Sequence, residues 1–189
     1  MIIALFGVTC VGKTTVGKII AEKLQYDFYD LDAEIISFFS NTIDHIQNSC
    51  ICRNEYESKK AEVLKSILNK CCVNTIIAIS PIYYTLLYKK MFRDKNVFSI
   101  VLHDSPENIA RRMIDTDEND NIIESCERDI KADLKVVKYF ISRYKKAFSK
   151  IENKYNVGGK SALEAANEII GTIIMPLLLG DSSKHNTNG

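Results

Sequence analysis

The sequence is short of charge imbalance. Its 189 residues carry 25 Lys+Arg against 24 Asp+Glu, a formal net charge of +1. No global field is present to draw nucleic acid or an anionic membrane surface, so neither is expected as a partner. Histidine is scarce, with 3 in the chain, at positions 45, 103 and 185. The 6 cysteines are Cys10, Cys50, Cys52, Cys71, Cys72 and Cys126, and no pair has C-x-x-C spacing. That disfavours a zinc centre. No leader precedes the first apolar run, so the thiols read as reduced and the chain as cytoplasmic. The C-terminal apolar run, Ile169 to Gly180, is shorter than the roughly 20 residues that span a bilayer, and Pro176 interrupts it. It is expected to be the end of a core helix on a sheet. There is no internal repeat, low-complexity linker or second-domain boundary. One monomeric domain over 1–180 is expected, followed by a disordered polar tail at 181–189.

What the chain does have is concentrated at its start. The segment GVTCVGKTT, Gly7 to Thr15, has the pattern G-x-x-x-x-G-K-[ST], a phosphate-binding loop. Gly7 and Gly12 permit backbone angles that let the loop curl round an anion. The curl turns the N–H groups of Cys10, Val11 and Gly12 inward as a nest of partial positive charge. A helix beginning near Gly12 adds its unsatisfied N–H groups and dipole. Lys13 can reach the β- and γ-phosphates of ATP, Thr14 can coordinate Mg²⁺, and Thr15 can contact the α-phosphate. The context agrees. Ile2 to Phe6 is a run of strand length, and Val16, Ile19, Ile20 and Leu24 recur at helical spacing.

Further along, strand and helix patterns alternate. Strands are expected at Asp27–Asp32, Asn74–Ser80, Val97–Asp104 and Lys154–Val157. Helices are expected at Ala33–Phe39, Asn54–Lys70, Ile82–Phe92, within Ile123–Ile151, and at Ala162–Ile174. Another starts after Ser105 as N-cap with Pro106 at its first position. Repeated β-then-α units mean an α/β fold: a central parallel sheet of about five strands with helices on both faces. Ligands of such sheets bind beyond the strands' carboxyl ends. There stand Asp30 and Asp32, spaced to point the same way from an extended chain. One can hold Mg²⁺ and the other can bind or deprotonate an acceptor hydroxyl; helix capping is the plainer alternative.

The stretch GVTCVGKTTVGKIIAEKLQYDFYDLDAEI resembles the opening of the shikimate kinase family: strand, P-loop, helix, then an aromatic-acid strand ending in D-x-D. SIVLHDSPENIARRM and SRYKKAF resemble its fourth strand with the following arginine-bearing helix, and the region of a substrate-binding arginine. The resemblance implies an ATP- and Mg²⁺-dependent kinase acting on shikimate in aromatic amino acid biosynthesis. It implies that Asp32 activates the acceptor hydroxyl, Asp30 lies near Mg²⁺, and Arg143 pairs with the shikimate carboxylate. Arg111 or Arg112 would lie on the adenine, Gly158–Ser161 would approach it from the other side, and Asp115–Glu127 would be a lid.

Three departures stand against it. The family's glycine triplet is replaced by Ser80-Pro81, and Pro81 has no N–H. The family's F-R-x-x-E is best matched by Lys59 and Glu62, with Arg53 as a shifted substitute. The lid segment is acidic and has no arginine before Arg128. Lys59 and Ser80 are the expected acceptor contacts in the altered half. Two other functions stay open: a kinase for gluconate or a nucleoside monophosphate, and a catalytically degenerate nucleotide-binding module.

Overall fold

The computed structural model describes residues 1–70, 74–82, 86–113 and 129–184. Five parallel strands form one sheet in the order β2-β3-β1-β4-β5: β1 Ile2–Phe6, β2 Asp27–Asp30, β3 Thr75–Ala78, β4 Val97–His103 and β5 Asn153–Asn156. Central strand β1 is apolar throughout and wholly buried, as both faces are covered. Ile3 and Leu5 point into one core with Val16 and Ile20 of α1 (Lys13–Leu24) and Ala165 and Ile169 of α8 (Ala162–Ile169). Ile2, Ala4 and Phe6 point into the other. There they meet Leu31 and Ile35 of α2 (Leu31–Phe39) and Leu64, Ile67 and Leu68 of α4 (Arg53–Lys70). The remaining helices are α3 (Ile43–Asn48), α5 (Leu86–Asp94), α6 (Pro106–Arg111), α7 (Ile130–Phe148) and α9 (Met175–Lys184).

Three local expectations change. β2 stops at Asp30, two residues early, because Asp30 caps α2: its Oδ1 accepts from the N–H groups of Asp32 at 3.0 Å and Ala33 at 3.4 Å. Asp30 and Asp32 therefore are not alternate residues of one strand. Asp32 lies in the first helical turn. Second, Pro176 does not interrupt the C-terminal helix. A π segment at Ile170–Ile174 precedes it, and the widened turn takes up the ring that would otherwise clash. The helix from Ala162 through Leu179 is thus long and apolar enough to cross a membrane by length and composition alone. It packs Ala165, Ala166, Ile169 and Ile174 into the sheet core. Third, α9 runs to Lys184, past the expected boundary of the tail at 181, and 185–189 lie outside the described residues.

Gly7 leaves the end of β1 with φ +149°, and a Cβ there would sit 2.6 Å from the Leu102 carbonyl oxygen and 2.7 Å from Val11 Cγ1. The obstacle is backbone of a paired strand and cannot swing away. Gly7→Ala is expected to destabilise the fold by about 1–3 kcal/mol, as overpacking does, and to weaken ATP binding as well. Urea unfolding and nucleotide titration check this.

Candidate active site

The loop after β1 turns through Cys10 at φ +61° and Gly12 at φ +107°, and Gly12 becomes the N-cap of α1. Lys13 opens that helix and is buried, at 9% exposure. Its Nζ donates to the Val8 carbonyl at 2.9 Å, folding the ammonium back over its own loop. Burial lowers the Lys13 pKa, and the carboxylates of Asp32 and Asp30 act in the opposite direction. Thr14 Oγ1 donates to Asp30 Oδ2 at 2.5 Å, so the residue after the lysine and the end of β2 meet. Asp30 divides its work: Oδ1 caps α2 and Oδ2 faces Thr14. Thr15 is exposed beside them.

Beside the loop opens a cleft of about 920 Å³. Its walls include Thr9 of the P-loop, Asp32, Arg53, Ser80, Arg143 and Tyr144. Asp32 sits where loop and cleft join. Burial pushes its pKa above the usual carboxylate value; Lys13 opposes this, Asp30 adds to it, and Ser80 and Lys60 oppose it. The Ser80 hydroxyl is buried beside the Asp32 carboxylate and favours its ionised form. α7 supplies the far wall through Tyr139, Phe140, Arg143 and Tyr144, spaced so that one helical face meets the cleft. The Arg143 guanidinium lies 5.3 Å from the Tyr139 ring centroid and donates to its hydroxyl. Arg53, at the start of α4, points Nη2 at Tyr144 Oη, 3.5 Å away.

Lys59 is the residue the structure moves out. It pairs with Glu55 at 4.0 Å and lies 5.6 Å from the Phe39 ring, and it is not part of the cleft wall. Helical phase decides this: Arg53, Tyr56 and Lys60 share the face turned to the cleft, and residue 59 is about 100° away from residue 60. Lys60 is the lysine that faces Asp32. It is 3% exposed, pairs with Glu57 at 2.7 Å and donates to the Pro81 carbonyl at 3.1 Å.

On the other side of the P-loop, Arg111 and Arg112 part company. Arg111 is exposed. Arg112 donates to the Val11 carbonyl at 3.2 Å and pairs with Asp104. Asp104, at the end of β4, is a hub that the sequence did not single out. It accepts from Ser105 N at 2.7 Å, Asn108 Nδ2 at 2.8 Å and Gly159 N at 3.3 Å as well. Burial raises its pKa, but these hydrogen bonds outweigh burial and bring it below the usual 3.8. Its folded pKa being depressed, its contribution to stability is complete above the unfolded value and is lost as pH falls below about 4. Asp104→Ala leaves Arg112 unpaired and frees both the P-loop and the Gly158–Gly159 turn. A loss of about 3 kcal/mol is expected, the low end for breaking a buried ion pair, measured by urea unfolding at neutral pH. The expected lid, Asp115–Glu127, lies outside the described residues, as do Cys71, Cys72, Cys126 and Arg128.

A family model described as shikimate kinase matches residues 9–173. The shikimate kinase of Caldicellulosiruptor saccharolyticus is 35% identical over 116 residues, covering 60% of this chain and 64% of that protein, so the match spans less than two thirds of that relative. The shikimate kinase of Persephonella marina is 27% identical over 177 residues, 90% of this chain and 98% of that one. The structure of the Acinetobacter baumannii shikimate kinase in complex with shikimate is similar in fold, with a TM-score of 0.76 at 18% identity over 93% of each chain. With the sheet order, the P-loop and a family match over nearly its whole length, the chain belongs to the shikimate kinase family.

Proposed function

We propose that the protein transfers the γ-phosphoryl group of ATP to the 3-hydroxyl of shikimate, as a monomeric cytoplasmic enzyme of one kinase domain. The observation that carries this is the convergence of Lys13, the Thr14–Asp30 contact and Asp32 at the junction of the P-loop and the 920 Å³ cleft. Loop N–H groups cradle the phosphates, and Lys13 leaves the Val8 carbonyl for the β- and γ-phosphates. Asp32 accepts the acceptor's proton as its oxygen bonds to the γ-phosphorus and the bond to the bridging oxygen breaks, releasing ADP. Arg143 and Arg53, in the same cleft, hold the carboxylate end of the acceptor. The exposed Arg111 and the Gly158–Ser161 turn flank the adenine, while Arg112 keeps the P-loop in shape through Val11 and Asp104.

Thr14 Oγ1 and Asp30 Oδ2 are hard oxygen donors already in contact, and they would be the residues to hold Mg²⁺. Bound there, the ion neutralises phosphate charge.

Pro81 favours a second reading, a kinase of this family with another hydroxylated acid as acceptor, since its missing N–H removes a backbone donor at the cleft. Mass analysis of the product from Mg-ATP and shikimate decides between them. Shikimate 3-phosphate is expected; unreacted shikimate alongside bound ATP would move the assignment to the second reading.

A further inference from the structure

A second cavity, of about 520 Å³, lies between α7 and the outer strands β4 and β5. Among the described residues it shares none with the acceptor cleft. α7 is the wall between the two. Phe140, Arg143 and Tyr144 face the cleft, whereas Ile141, Lys145 and Phe148, spaced i, i+4 and i+7, face the cavity. The volume suits a small molecule, and the interior is apolar. Val8 of the P-loop, Leu102 of β4, Ile109 of α6 and Ile141 form its walls. Phe148 stacks on Tyr144 and Tyr144 on Phe140, at centroid separations of 5.8 and 6.5 Å, so a row of near-parallel rings ends in the cavity. The free charge of the cavity is positive. Lys145 from α7 and Lys154 from β5 are exposed on it, and neither ammonium has a hydrogen-bond or ion-pair partner among the described residues. The carboxylate of Asp104, on the same wall, is already taken up by Arg112 and by N–H groups of Ser105, Asn108 and Gly159.

We propose that this cavity is a second binding site, for a small aryl carboxylate whose ring extends the row ending at Phe148 and whose carboxylate faces the ammonium groups of Lys145 and Lys154. The ring leaves water for apolar walls, which supplies most of the affinity. The two lysines stay hydrated, so their attraction is modest and serves to select an anion. A neutral molecule of the same shape meets the same walls without the countercharge. The site is independent of which acceptor the kinase uses, because no described residue of the acceptor cleft takes part in it.

The probe is 3-phenylpropionate, titrated into the full chain with ADP and shikimate in excess while the isoleucine methyl signals are followed by NMR. Saturable shifts of the Ile109 and Ile141 methyl groups are expected, with a Kd of about 1 mM, the affinity open to so small a ligand. Ile36 and Ile43, in the acceptor cleft, are expected to stay unmoved. The neutral 3-phenylpropanol should bind about 3- to 10-fold more weakly. Lys145→Glu/Lys154→Glu should weaken 3-phenylpropionate binding roughly 10- to 100-fold, as two attractions become repulsions, and leave 3-phenylpropanol binding as it was. Both side chains are exposed, and a thermal unfolding curve establishes that the variant is folded. Lys65→Glu/Lys95→Glu, which removes as much positive charge away from the cavity, should change the Kd by less than about 2-fold, since salt screens distant charges. No saturable shift at Ile109 and Ile141 up to about 10 mM would overturn the site. So would a Kd indifferent to Lys145→Glu/Lys154→Glu, an equal loss in Lys65→Glu/Lys95→Glu, or shifts at Ile36 and Ile43 in their place.

Discussion

Lys13→Ala is expected to lower shikimate-dependent turnover by about 100- to 1000-fold, the cost of removing one donor aimed at developing charge. The fold should survive. The side chain makes one described hydrogen bond, to the Val8 carbonyl, and its burial already works against its charged form. Losing that bond costs about 1 kcal/mol. Steady-state kinetics with saturating Mg-ATP, beside a thermal unfolding curve, separates the two effects. Near-normal turnover in a folded Lys13→Ala protein would remove the P-loop from the mechanism.

Asp32→Asn is expected to cost about 100- to 10,000-fold in turnover, the range for a positioned general base, while ATP affinity changes little. The geometry distinguishes the two acids. Asp30 touches Thr14 through Oδ2, on the metal side, whereas Asp32 stands at the mouth of the acceptor cleft. In the unaltered enzyme, kcat/KM should rise with pH above the ordinary carboxylate range, because burial raises the Asp32 pKa above 3.8 and its ionised form is the base. That acid limb should vanish in Asp32→Asn. An equal loss of ATP binding would place Asp32 with the metal instead.

The P-loop was legible because it is contiguous: a strand, two glycines, Lys-Thr-Thr and an amphipathic helix need no distant partner to be read. The central sheet followed from repetition of the same unit. What could not be read depends on phase or on distance. Which of Lys59 and Lys60 faces the cleft turns on about 100° of helix rotation; a motif match alone pointed to Lys59, whereas Lys60 lines the cleft. The D-x-D segment reads as strand, yet a side-chain cap from Asp30 starts a helix inside it. Asp104 gained its role from Arg112 and from Gly159, which is 55 residues away in the chain. Pro176 reads as a helix breaker until a π segment is seen to absorb it.

The most direct test is ADP release from Mg-ATP by the purified protein, with and without shikimate. Convergence of Lys13, Asp32 and the cationic cleft predicts release that depends on shikimate and disappears in Lys13→Ala. ATP binding with no stimulation by shikimate would contradict it.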